Sequence, residues 1–480
     1  MNRAKRHRNN GRDQVSGRIL GAILGLALVA GLVGTTPVAA DDDDNFVAVK
    51  AGKILTVSGE EIEDGVIVIR NGKVEAVGKK VEIPYGAKVI DAKAHTVMPG
   101  LVNVASRLGL GSYRRSGTRT NLTVASELYP TDDTFKQHLE AGFTTVGLFP
   151  LGNGFPGQAS AVRPIPGTRE DVVLEEAAYV RIPFGRPSSE KRGVRNALKQ
   201  AQAEIDKIEK ARKAWEEKQQ KAKAEAEAKK KAEEAKKAPA PEEKKPQPKG
   251  AQEPPKQDPK KGDQAAEKKE PEAFKPPAIK PTLQPLVDLI RKEDSARSLV
   301  EIARAEGFVH FEDLMKKYDI AHTYLVRNAR RASFGDFSSI NDTDLGHVTK
   351  QMGEKKAMVV LYPEINKVPY TADLISLPHD LLNAGCTIAF LPSADTEQGL
   401  ERFREKVAEI VKQGFPRKAA LEAMTVNAAK VLGLSERLGT IEAERDANLI
   451  FLDGDPLDPF TEVKRVMIEG EIVAEYDSKS

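Results

Sequence analysis

A disulfide framework is closed to this chain, because Cys386 is the only cysteine among its 480 residues. Lying in Gly385-Cys386-Thr387-Ile388-Ala389-Phe390, it reads as a small buried hydrophobe in a strand rather than a nucleophile. Aromatic residues are scarce at 5%, while charged residues reach 30% and concentrate in one internal stretch, so not all of the chain can be core. Neither sign of charge dominates: the net charge is only +3, which gives little reason to expect a nucleic-acid partner. Long apolar runs are absent apart from one, at residues 19–34.

That single run has the layout of an export signal. Arg3, Lys5, Arg6, Arg8, Arg12 and Arg18 precede it, and Pro37-Val38-Ala39-Ala40 supplies the small residues that a signal peptidase reads. No twin arginine is present, so the general secretory route is expected, with the mature protein periplasmic or extracellular. An uncleaved N-terminal membrane anchor is the alternative, although the run is near the short limit for spanning a bilayer.

The next segment reads as short strands. Residues 46–49 and 53–57 flank Ala51-Gly52, and residues 66–69 lead through Asn71-Gly72 into 74–77. Asn-Gly between β-rich runs signals a hairpin, since both central residues of a type I′ turn need positive φ. From Pro99 the pattern alternates: a helix over 131–141, a strand over 143–149, later strands over 299–302, 323–326, 358–361 and 387–391, and a helix over 311–318. Such alternation predicts a parallel α/β sheet or barrel. The tail returns to a helix over 419–432 and strands over 447–452, 463–468 and 471–474.

Between the two alternating parts lies a charged insertion. Its front carries Val194, Leu198, Ala201, Ile205, Ile208 and Trp215 at coiled-coil-like spacing. Residues 238–281 are rich in Pro, Lys, Glu and Gln and bury too little surface to fold alone.

Motifs at both ends of the chain resemble the amidohydrolase superfamily, especially its imidazolonepropionase-like group. They are Val97-Met98-Pro99-Gly100-Leu101-Val102-Asn103 near the start, and Thr425-Val426-Asn427-Ala428-Ala429, Arg437-Leu438-Gly439-Thr440-Ile441 and Asp446-Ala447-Asn448-Leu449 near the end. Between them, Ala141-Gly142-Phe143-Thr144-Thr145-Val146 is similar to the family's second barrel strand, and residues 152–158 to the loop after it. The resemblance implies a (β/α)8 TIM-like barrel plus a small composite β-sandwich from both chain ends. The expected organisation is a signal peptide over 1–40, sandwich over 41–98, barrel over 99–189, insertion over 190–282, barrel over 283–435 and sandwich over 436–480.

The resemblance also implies zinc or another divalent metal, held first by two histidines one residue apart, since alternate strand residues face the same side. Here Ala105 and Arg107 stand at those places. Alanine has no donor, and a guanidinium repels a metal ion. Seven histidines are present; His7 belongs to the signal, His95 precedes the first barrel strand, and His138 falls on a helix. His310 is expected before a helix, His347 and His379 in loops, and His322 just before a strand. Where the family would place further histidines stand Arg304 and Arg327. No metal ligand and no cofactor are therefore assigned. Asp395 follows the last barrel strand, where the family carries an acid that acts as ligand and general base; its alternative is an N-cap.

The site expected from sequence is thus Asp395 as catalytic acid–base and Arg107, Arg304 and Arg327 as binding residues. By resemblance the function is hydrolysis of a non-peptide carbon–nitrogen bond. The alternative is an inactive family member acting as a binding or partner subunit in the cell envelope. Expected partners are a small-molecule substrate or an anion, and a second copy or an active relative, with no nucleic acid.

Overall fold

The run from Phe46 to Ile54 forms one strand, β1, in which Val47, Ala48, Val49, Ala51 and Ile54 are buried. The computed structural model describes residues 45–130, 132–185, 187–236, 273–327, 343–367 and 371–476. The expected export segment and most of the Pro/Lys-rich segment lie outside these residues. Among the described residues no helix is long and apolar enough to cross a membrane.

Gly52, expected to separate two strands, instead sits at a bulge inside β1. A Cβ there would lie 2.1 Å from the Lys93 carbonyl oxygen, so the close approach of a neighbouring strand demands glycine. β2 (Ile62–Arg70) and β3 (Lys73–Gly78) form the hairpin expected at Asn71-Gly72, with φ of 50° and 80° at the two turn residues. β4 (Lys88–Pro99) runs parallel to β1, and β5 (Leu101–Ser106) follows it directly.

β6 (Arg114–Thr118) and α1 (Asp132–Glu140) precede β7 (Phe143–Leu148). The glycine-rich segment after it, expected as a loop, makes a strand, β8 (Leu151–Phe155), which pairs in parallel with β6. Then come β9 (Gln158–Val162), the short α2 (Arg169–Val172) and β10 (Val173–Pro183). α3 (Pro187–Lys236) follows, and α4 (Gln284–Arg291) begins the second half. That half contains β11 (Ser298–Ile302), α5 (Ala305–Tyr318), β12 (Thr323–Val326), α6 (Thr349–Glu354) and β13 (Met358–Leu361). The small pair β14 (Asn366–Lys367) and β15 (Leu374–Ile375) is followed by α7 (Leu377–Ala384), β16 (Thr387–Phe390) and α8 (Glu397–Lys412). His310 and His379 therefore lie inside α5 and α7, not before a helix and in a loop.

The expected helix over 419–432 is two, α9 (Arg417–Met424) and α10 (Val426–Val431), broken at Thr425, whose hydroxyl donates to the Leu421 carbonyl at 2.7 Å. β17 (Leu449–Leu452), β18 (Val463–Ile468) and β19 (Glu471–Glu475) complete the chain.

Two large sheets result. One, in the order β19-β18-β17-β4-β1-β2-β3, joins strands of both chain ends. The other is the eight-stranded barrel sheet β16-β13-β12-β11-β10-β9-β7-β5. Most of its neighbours are parallel, but β9 is antiparallel to both β7 and β10. The connection between β7 and β9 is too short for the helical crossover that a parallel return requires. The first and last strands, β5 and β16, approach without a backbone ladder, and α10 packs against both.

The barrel interior is filled by Val102, Val104, Tyr179, Leu299, Leu325, Val360 and Ala389. A larger cluster between strands and outer helices includes Phe143, Ile182, Phe311 and Phe403. Val194, Leu198, Ala201 and Ile205 belong to that cluster, so the front of the coiled-coil-like seam is buried against the protein's own barrel. Farther along α3 the side chains are mostly exposed, but Trp215 meets Phe274 with ring centroids 5.8 Å apart.

Candidate functional site

The carboxyl ends of the barrel strands carry an ion network. Arg181 on β10 and Glu301 on β11 point into the barrel, and both are almost fully buried. Parallel pairing sets Arg181 opposite Leu299 and Pro183 opposite Glu301, which brings the two side chains together. The guanidinium grips the carboxylate as a fork: Nε donates to Oε1, and Nη2 to Oε2 at 2.9 Å. Its remaining nitrogen, Nη1, donates to the Pro150 carbonyl at 2.5 Å. Arg327, at the end of β12, donates to the same Oε2 at 2.9 Å. Burial alone would raise the Glu301 carboxyl, but the two guanidinium groups hold it down at about 2.

Arg107 enters from the opposite wall. Its guanidinium donates to the carbonyls of Phe149, at 2.6 Å, and Gly111. It stands 5.9 Å from the centre of the Phe149 ring, and Arg181 stands 5.0 Å from the same ring. Burial lowers the Arg107 guanidinium to about 10. Ala105, two residues earlier, is buried in the apolar filling of the barrel.

Asp395 closes the seam between the first and last strands. Its Oδ2 accepts the main-chain N–H of Arg107 at 2.6 Å, across 288 positions of sequence. Burial raises its carboxyl to about 6, against the opposing pull of that N–H, the Ser106 hydroxyl and Asn103. Oδ1 lies 3.9 Å from Nε2 of His138, too far for a hydrogen bond. His138 is 1% exposed, burial drives its imidazole down to about 3, and neither ring nitrogen has a partner. The N-cap alternative for Asp395 does not hold: Thr396 caps α8, accepting from the Gly399 N–H at 3.2 Å.

The structure thus brings Arg107 and Asp395 together through the main chain, and Arg327 into the Glu301 network. Arg304 stands apart from that buried network, exposed at the N-cap position of α5. Sequence reading missed Arg181 and Glu301. Their signal was available: each is a charged residue inside an apolar run, Tyr179-Val180-Arg181-Ile182 and Leu299-Val300-Glu301-Ile302.

Among the described residues, the donors at this mouth do not suit a divalent metal. The Glu301 carboxylate is occupied by two guanidinium groups, Asp395 is engaged by donors of β5 and the residue after it, and Ala105 offers nothing. Among the described residues no group of three or more His, Cys, Asp or Glu side chains converges as a metal ion requires.

Comparison with known proteins agrees with this architecture. Residues 315–473 match the sequence model of the Amidohydrolase family. A solved amidohydrolase from Thermotoga maritima MSB8 superposes with a TM-score of 0.61 at 20% identity, covering 90% of this chain and 100% of that one. A dihydroorotase of Elusimicrobium minutum (strain Pei191) is 38% identical over 87 residues, a stretch that spans 18% of this chain and 17% of that enzyme. The fold is thus that of the solved amidohydrolase, and the last third of the chain is similar in sequence to the Amidohydrolase family.

Proposed function

We propose that this chain is a non-hydrolytic member of the amidohydrolase superfamily, acting as a binding or partner subunit in the cell envelope. The observation that carries this reading is the Arg181–Glu301–Arg327 network. Barrel enzymes place their catalytic groups at the carboxyl ends of the strands. Here that position is filled by guanidinium groups paired with the one buried carboxylate among them, an arrangement that repels a divalent cation. The envelope location rests on the export signal read from residues 1–40.

A second reading has one observation in its favour. The Asp395 carboxyl, held near 6 and not engaged as a helix cap, is suited to general base work near neutral pH. On that reading the protein hydrolyses a non-peptide carbon–nitrogen bond.

Metal content and turnover separate the two. The purified mature protein, equilibrated with zinc and then dialysed, is expected to retain no stoichiometric metal, and a panel of amides, hydantoins and lactams to remain intact. Stoichiometric zinc that disappears in Asp395→Ala, or turnover abolished in Asp395→Asn, would overturn the non-hydrolytic reading.

A further inference from the structure

We infer that His138, on α1, is the positioning partner of Asp395: its neutral imidazole donates the Nε2–H to Oδ1 and holds the carboxylate in the layer between barrel and outer helices, turned away from the mouth. The inference goes beyond the binding role proposed above and does not rest on it.

The strands say where the carboxylate lies. Val102 and Val104 fill the barrel interior, so Asn103 between them faces outward, as Leu101 does in the outer cluster. Asn103 is fully buried and is one of the groups that pull on the Asp395 carboxyl. His138 reaches the same layer from α1. Its ring stands edge-on to Phe143 with centres 5.9 Å apart, and Phe143 packs in turn on Phe403 of α8. A carboxylate that meets both Asn103 and His138 is therefore on the outer side of β5, not among the groups that fill the barrel.

The Arg107 N–H fixes Oδ2, and His138 is placed to fix Oδ1. Nε2 stands 3.9 Å from Oδ1, so a side-chain shift of about 1 Å completes the hydrogen bond. His138 is 1% exposed, and its two ring nitrogens meet no other partner among the described residues, which is costly for buried polar atoms. Burial pushes the imidazole down to about 3, so it faces the carboxylate as an uncharged donor. The other groups acting on Asp395 all come from β5 and the residue after it: the Asn103 amide, the Ser106 hydroxyl, and the main-chain N–H and guanidinium of Arg107. An apolar side chain at 138 would pack against Phe143 without orphaned nitrogens, and the contact with Asp395 explains why a histidine stands there.

The test uses the purified protein, with histidine labelled by nitrogen-15 and the aspartate carboxyls by carbon-13. At pH 7 the His138 Nε2–H should resonate far downfield of an unbonded imidazole N–H. It should move upfield in Asp395→Asn, where a neutral acceptor replaces the carboxylate. His138→Leu should raise the pH at which Asp395 titrates, about 6 in the native chain, by about one unit or more, because a donor to the ionised form is lost. His138→Gln keeps an N–H donor and should bring that pH back toward the native value, which packing alone would not do. The inference is overturned if the His138 resonance is that of an unbonded N–H and ignores Asp395→Asn. It is equally overturned if His138→Leu leaves the Asp395 titration in place or lowers it, or if the Gln and Leu variants behave alike. Should His138→Leu not fold, the His138 resonance in the native chain and in Asp395→Asn decides alone. Retained zinc or turnover of an amide would sink the non-hydrolytic reading and leave these resonances as expected.

Discussion

Replacing Glu301 by Gln removes the negative charge that Arg181, 1% exposed, and Arg327 share. Loss of one partner from a buried ion pair typically destabilises by about 3–5 kcal/mol, because the remaining charge is left uncompensated. The shifted carboxyl gives a second measure. A fall from 4.5 in the ordinary group to about 2 in the folded protein corresponds to about 3 kcal/mol. Because the folded-state value is depressed, this stabilisation is fully present above about 4.5 and is lost as pH falls through about 2. Urea unfolding of native chain and Glu301→Gln, followed by circular dichroism, should therefore show a gap of about 3 kcal/mol at neutral pH that narrows between pH 5 and 2. Taking the difference between the two proteins cancels the other carboxylates. Exchanging Arg181, Glu301 and Arg327 together for apolar residues of similar volume should recover much of the loss, since well-packed apolar side chains can replace a buried ionic cluster. A neutral-pH gap below about 1 kcal/mol, or one that stays constant into acid, would refute the claim that this network holds the barrel mouth.

Asp395 should behave in the opposite sense. Its carboxyl is raised from 3.8 to about 6, so its favourable contribution is present below 3.8 and lost as pH rises through 6. Asp395→Asn, which keeps an acceptor for the Arg107 N–H, should gain up to about 3 kcal/mol relative to the native chain between pH 4 and 7; a flat difference in urea unfolding would contradict the assignment. Along α3, Leu198→Ala should destabilise by about 2–5 kcal/mol, because Leu198 is fully buried in the main core, whereas Lys223→Ala on the exposed part should stay within about 0.5 kcal/mol. Equal effects in denaturant titrations would show that the front of the helix does not pack on the barrel.

What the sequence revealed depended on how local the cause was. The Asn71-Gly72 hairpin was readable because its signal lies in two adjacent residues that both take positive φ. The strand β8 was not, since glycines normally announce a loop. Here Gly152 faces the Arg115 backbone so closely that an added Cβ would stand 1.7 Å from its carbonyl oxygen, and the glycine exists to let two strands touch. The reversed β9 was hidden for a related reason: strand direction follows from connection length, and the connection was read as a loop. At the site, the expectation that Ala105 and Arg107 hold no metal came from their residue types at places the resemblance supplied. The network that fills the space was not foreseen, because β10 went unrecognised and Arg181 with it. The partner of Asp395 was likewise out of reach of sequence, being a main-chain N–H supplied by a strand at the other end of the chain.

The terminal sheet has a consequence for the continuity of the molecule. β4, from the first part of the chain, lies between β1 and β17, and Pro99 is registered against Leu449. The two halves are tied again where β10 meets β11, on either side of the long excursion through α3. A fold tied through its first and last described strands and again where β10 meets β11 resembles a belt buckled twice. A break in the outer part of α3 would leave two pieces, each with strands of both the barrel and the sandwich, neither able to cover its apolar faces without the other. The unit that holds together is therefore the pair of interlocked halves rather than the unbroken chain, and only the exposed outer part of α3 stands outside what they share.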